Sequence, residues 1–201
     1  LMSSELKTNK VSPATGTALQ IGDSGDTITI PSGATLTNSG SATGFGKVLQ
    51  VVSASYNGND STTSNSFVNT GLTQAITPSA TSSKVLIICS ITAGGAGDAR
   101  PGFCIKRGST ELNLGSATDP SATSARTLVT NATYIAGADR IMSTGLTYLD
   151  SPSTTSATTY TLAMLARDAS YASILNISST EGDYAYVYRG VSTIVLMEIA
   201  G

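Results

Sequence analysis

Lys84-Val85-Leu86-Ile87-Ile88-Cys89-Ser90-Ile91-Thr92 is the stretch on which the fold turns. Its aliphatic residues follow one another without a break from Val85 to Ile88, and no 3.6-residue apolar period surrounds them, so they read as a strand. Ile194-Val195-Leu196-Met197 has the same character. A strand that is apolar at successive positions has two faces to bury. Both runs are therefore expected to be central strands covered on each side.

Outward from these two, further strands are expected at Val48–Ser55, Gln74–Thr77, Lys84–Thr92, Gly102–Arg107, Thr127–Ile135, Met142–Leu149, Tyr160–Arg167, Ile174–Ser178 and Val191–Ile199. Polar or glycine-rich turns separate them, including Asn57–Asn65, Thr77–Ser83, Asp150–Ala157 and Thr180–Asp183. Some strands alternate, as in Thr159-Tyr160-Thr161-Leu162, and should turn one face to water or to a sister subunit. Hydrophobic residues make up 40% of the chain and charged ones only 12%, so long charged side chains for exposed helices are scarce. The expected class is all-β: a jelly-roll-like antiparallel β-sandwich over residues 46–201, preceded by an extended N-terminal β arm or stem over residues 1–45.

The arm differs from the rest. Its apolar residues come in short, spaced sets, Leu19 and Ile21, Ile28 and Ile30, then Leu36. Turn signals lie between them at Gly22–Asp26, Pro31–Gly33 and Asn38–Gly40. Strands this short cannot bury a core alone. Copies from several chains packed about a common axis, or another protein beneath them, would stabilise them. Leu19, Ile21, Ile28, Ile30 and Leu36 are therefore the expected assembly contacts.

Net charge is −2, with the 11 basic residues scattered, so the basic stripe that neutralises phosphates is missing and no nucleic-acid partner is expected. Neither a charged-then-apolar leader nor a run of about 18 apolar residues occurs, so the expectation is a protein with no signal peptide and no membrane span, made in a host cytoplasm. The chain contains no histidine, which removes Ser-His-Asp, Cys-His and His-Glu-x-x-His chemistry. Gly22-Asp23-Ser24-Gly25 matches a protease nucleophile segment only in letters, since no base accompanies it. Asp23 with Asp26, and Glu181 with Asp183, read as turn carboxylates rather than an acid–base pair, because nothing places either across a cleft. Asn57-Gly58-Asn59-Asp60 and Asp23–Asp26 have calcium-type oxygen ligands, but Asx-rich turns ordinarily bond their own backbone. No catalytic, cofactor-binding or metal-binding residue is assigned, and no enzyme activity is expected.

Two features remain. In an extended Tyr184-Ala185-Tyr186-Val187-Tyr188-Arg189, the three tyrosines would share a face. Tyr184, Tyr186, Tyr188 and Arg189 are thus a candidate receptor patch or subunit contact, since Tyr offers contact area at little entropy cost. Cys89 and Cys104 flank the turn Ala93–Gly102; as a hairpin they would fall near each other, either as buried thiols or as a strained bridge.

The opening from Met2-Ser3-Ser4-Glu5 to Ala18-Leu19, with Gly22-Asp23-Ser24-Gly25-Asp26-Thr27-Ile28-Thr29-Ile30-Pro31-Ser32-Gly33-Ala34-Thr35-Leu36, resembles the N-terminal region of tail-fibre-like and other virion structural proteins of marine bacteriophages, cyanophages among them. Val68-Asn69-Thr70-Gly71-Leu72, Ile76-Thr77-Pro78-Ser79, Ser83-Lys84-Val85-Leu86 and Ile194–Gly201 are similar to the C-terminal domain of those proteins. The resemblance implies a non-enzymatic, trimeric virion component with an N-terminal attachment arm and a sandwich head. Its implied partners are its own copies, other tail or capsid proteins and, in the fibre version, a host surface glycan. In the decoration version, the arm lies along the capsid shell. A self-assembling surface filament subunit is a third expectation.

Overall fold

The computed structural model describes residues 10–35, 37, 39, 48–115 and 127–201. The chain divides into two units, Leu1–Phe45 and Gly46–Gly201. No helix occurs among the described residues.

In the second unit the strands are β1 (Val48–Tyr56), β2 (Ser61–Thr62), β3 (Val68–Ile76), β4 (Lys84–Gly95), β5 (Gly102–Arg107), β6 (Thr110–Leu112), β7 (Asn131–Ala132), β8 (Ile141–Asp150), β9 (Thr158–Leu165), β10 (Ser173–Leu175) and β11 (Ser192–Ile199). They form two antiparallel sheets that make a β-sandwich. One sheet runs β1-β11-β4-β8, with β10 and β2 continuing beside the far end of β4. The other runs β3-β9-β5, with β6 and β7 along the outer side of β5. The first strand pairs with the last, Val51 opposite Met197. Between them the chain passes from one sheet to the other at six of the ten connections between named strands.

Alternation along each strand makes the core. Val85, Ile87, Cys89 and Ile91 point inward from β4, with Ile194 and Leu196 from β11 beside them. Leu72 and Ile76, Phe103 and Ile105, and Tyr160, Leu162 and Met164 meet them from the opposite sheet. Polar groups lock the ends. Asp150 accepts hydrogen bonds from Arg107 at 2.7 Å and from the Tyr160 hydroxyl at 2.6 Å, joining the last residue of β8 to β5 and β9. Asn176 donates to the carbonyls of Tyr56 and Gly58 and accepts from Ser192.

Several expectations change here. Gln74–Thr77 is the tail of a longer strand that starts at Val68; Thr70 and Gly71 hide its beginning, and its pairing with β9 is irregular between Asn69 and Thr73. Thr127–Ile135 pairs as a strand only at Asn131–Ala132. β6 was not expected, although Gly108-Ser109 between Arg107 and Thr110 is a two-residue hairpin loop, with Gly108 at φ 59°. The arm holds turns, closed by Asp26 N–H to Asp23 carbonyl and Ala34 N–H to Pro31 carbonyl, but no strand among its described residues. The cysteines do not share a hairpin: Cys89 pairs into one sheet and Cys104 into the other, and both are free, buried thiols. Finally, β4 and β11 are central within their sheet, yet among the described residues of the second unit only one of their faces is covered.

Candidate interaction surfaces

That bare face is built by register. On the outer side of the first sheet, Val51 stands opposite Met197, Met197 opposite Leu86, and Leu86 opposite Leu149. One apolar row thus crosses all four strands. The next row, Ser53-Val195-Ile88-Thr147, keeps an apolar centre between two polar ends. Val51 is 55%, Leu149 45% and Ile88 37% exposed, while Leu86, Val195 and Met197 are half-buried by their strand neighbours. Lys84 is the only charged residue among the outward positions of β1, β4, β8 and β11.

The other sheet treats the same geometry differently. Its corresponding row is Thr73-Thr161-Lys106-Glu111. The hydroxyls of Thr73 and Thr161 lie 3.0 Å apart and share a hydrogen bond, and Lys106 pairs with Glu111 at 3.4 Å. Further along that face the outward residues Cys104, Ala163 and Leu165 are apolar but buried, whereas the apolar row of the first sheet is open among the described residues.

The tyrosine segment is exposed but not extended. Val187 N–H donates to the Tyr184 carbonyl at 3.0 Å, closing a turn. That turn brings Tyr184 and Tyr186 together, with ring centroids 5.3 Å apart and planes within 10°, whereas a strand would have set them side by side. Tyr184, Tyr186 and Tyr188 are 54%, 55% and 63% exposed. Arg189 pairs with Glu181 at 2.7 Å, and its backbone bridges Ile177. The stack joins two of the four expected residues, and the tyrosines do not lie along a strand because the chain turns at Ala185 and Tyr186.

In the arm, Leu19, Ile21, Ile28 and Ile30 are all exposed; Leu36 lies outside the described residues. Its carboxylates serve the turn: Asp26 accepts from Asp23 N–H at 2.7 Å, and Asp23 accepts from the Gln20 amide. Asp60, in the second candidate calcium loop, accepts from Gly71 N–H at 2.8 Å. Among the described residues no group of three or more acidic or cysteine side chains is placed to hold a metal ion, and no helix is long and apolar enough to cross a membrane.

Burial pushes the thiols of Cys89 and Cys104 up to about 12. Burial also opposes ionisation of Glu198, but hydrogen bonds from the Ser79 hydroxyl and N–H and from the Gln50 amide outweigh it and hold this carboxyl at about 2. The Tyr134 hydroxyl donates to Asp98, which raises its pKa, and the Arg100 guanidinium sits 5.1 Å over its ring. These groups are structural or peripheral; none lies on the apolar face. The face itself was legible only in part, from the unbroken apolar runs of β4 and β11. No known protein family and no curated protein matches this chain.

Proposed function

We propose that this chain is a non-enzymatic structural component of a bacteriophage particle, a tail-fibre or adhesin-like subunit that assembles as a homotrimer and attaches through its N-terminal arm. One observation carries the reading: a well-packed β-sandwich leaves an apolar row, Val51-Met197-Leu86-Leu149, crossing four strands of one sheet and open among the described residues. Apolar patches of this kind on a soluble domain mark surfaces made for neighbours. The exposed arm residues Leu19, Ile21, Ile28 and Ile30 supply a second such surface. A jelly-roll-like wind belongs to the proposal. Its support is the passage from sheet to sheet and the last strand's place between the first strand and β4. The N- and C-terminal likeness to phage virion proteins supplies the setting, and the stacked tyrosines are the surface offered to a host glycan.

Capsid decoration is the second reading. It is favoured by the arm, whose described residues hold turns and exposed apolar side chains but no strand, as suits a segment laid along a shell.

Gold-labelled antibody imaging of phage particles carrying this protein tests both. Label at the tail supports the fibre, and label over the head supports decoration. Particles without label overturn the virion reading, and open-ended polymers of the purified chain would then point to a filament subunit.

A further inference from the structure

β4 and β11 are written for burial on two sides. Their alternate residues fill the sandwich interior, yet Leu86, Ile88, Val195 and Met197 between them are just as apolar and, among the described residues of the second unit, face outward with only their strand neighbours beside them. Thr73, Thr161, Lys106 and Glu111 show what this same domain puts on a sheet face that meets water. Where that second sheet does turn apolar residues outward, at Cys104, Ala163 and Leu165, they are buried, whereas Val51, Ile88 and Leu149 on the first sheet are open among the described residues.

We infer that the outer face of the β1-β11-β4-β8 sheet is the surface through which copies of this chain pack against one another. The inference rests on the reading of the protein as a self-assembling component and deepens it by naming the interface. Charge selects the partner. With Lys84 alone at the end of β4, the face offers nothing to phosphates, acidic glycans or a basic peptide, and it can meet a copy of itself without opposing like charges. The layout also fits, because an apolar centre is flanked by Ser53 and Thr147 as a polar rim. Size agrees too. Four strands about 4.8 Å apart, each of about eight residues at about 3.3 Å, give a footprint of roughly 500 Å². Three such faces turned towards the axis of the proposed homotrimer would bury about 1,500 Å² in all, within the range of specific interfaces.

The test is the mass of the full chain by sedimentation velocity, with circular dichroism as the check on folding. The wild-type chain is expected to be a discrete oligomer. Leu86→Glu, which sets an unpaired carboxylate in the centre of the face, should raise the subunit dissociation constant at least a hundredfold. Thr147→Glu, at an already exposed rim position, should raise it about tenfold and decides the matter if Leu86→Glu does not fold. Thr159→Glu, on the opposite sheet, should leave the mass unchanged. An oligomer that survives both Leu86→Glu and Thr147→Glu overturns the inference and leaves self-assembly standing. Dissociation by Ile28→Asp in place of the face variants would hand the contact to the arm and also overturn it. A wild-type monomer overturns the self-assembly reading itself.

Discussion

The Tyr160 hydroxyl, wholly buried on β9, donates a 2.6 Å hydrogen bond to Asp150 at the end of β8, on the other sheet of the sandwich. Arg107 shares the same carboxylate oxygen at 2.7 Å. A single carboxylate thus answers two donors, one from each of two neighbouring strands. Removing the hydroxyl by Tyr160→Phe leaves the ion pair and should cost about 1–2 kcal/mol. Asp150→Ala leaves the buried Tyr160 hydroxyl without a partner and Arg107 with only the Ser151 carbonyl at 3.3 Å, and should cost about 3 kcal/mol. Urea unfolding midpoints at constant slope measure the two, and equal costs would show that the hydroxyl carries the whole effect.

Gly94 is a matter of space. A Cβ there would be driven into the Ile177 backbone carbonyl, which cannot move without disturbing the β10 region. Gly94→Ala should destabilise by about 3 kcal/mol, at the upper end of overpacking costs. Gly97→Ala, where nothing lies within 4 Å, should stay within about 0.5 kcal/mol of the parent. Thermal or urea unfolding of the pair separates crowding from a general effect of alanine.

Glu198 sets an acid dependence. Its carboxyl is held at about 2 in the folded chain against 4.5 in the unfolded one, so as pH falls the unfolded state takes up the proton first. The stability it contributes is present above pH 4.5 and is lost as pH falls towards 2. Glu198→Gln should flatten stability against pH across that window. Urea unfolding at a series of pH values checks it, and a parent curve already flat there would refute the assignment.

The two thiols should be silent. Cys89 and Cys104 are buried, free and pushed up to about 12, so neither forms the reactive thiolate at neutral pH. A colourimetric thiol reagent should register no fast-reacting sulfhydryl in the native protein and two after denaturation. Two reactive groups in denaturant without reductant would also exclude a bridge, and a fast-reacting group in the native protein would refute the burial of these thiols.

Tyr184 and Tyr186 act together or not at all, because each supports the other's ring. Replacing both by Ala should weaken binding to a target surface at least tenfold while leaving the folded mass unchanged. If the double variant instead dissociates the oligomer, the stack is a subunit contact.

How much of this was readable differs from element to element. Gly102–Arg107 is the strand expected from its residues, because Phe103 and Ile105 alternate into the core on a segment cleanly bounded by turns. Val68–Asn69 was lost because Thr70, whose hydroxyl bonds the Leu162 carbonyl, and Gly71 look like turn residues when their partners are unseen. The tyrosines were recognised as exposed and grouped by the wrong geometry, since side-chain direction depends on whether a neighbour pairs the backbone.

By itself the sequence determined the class of this protein. Few charges, β-branched runs and frequent turns favour strands wherever they lie in space, and the absence of histidine removes imidazole chemistry regardless of fold. Only the tertiary structure decided which face of each strand was spent on the core. Leu86 and Ile87 are equally apolar letters; strand alternation sends Ile87 inward to complete burial, and registry with Met197 and Leu149 leaves Leu86 on the open side. Local propensity is blind to that choice, because it is made by pairings between residues far apart along the chain.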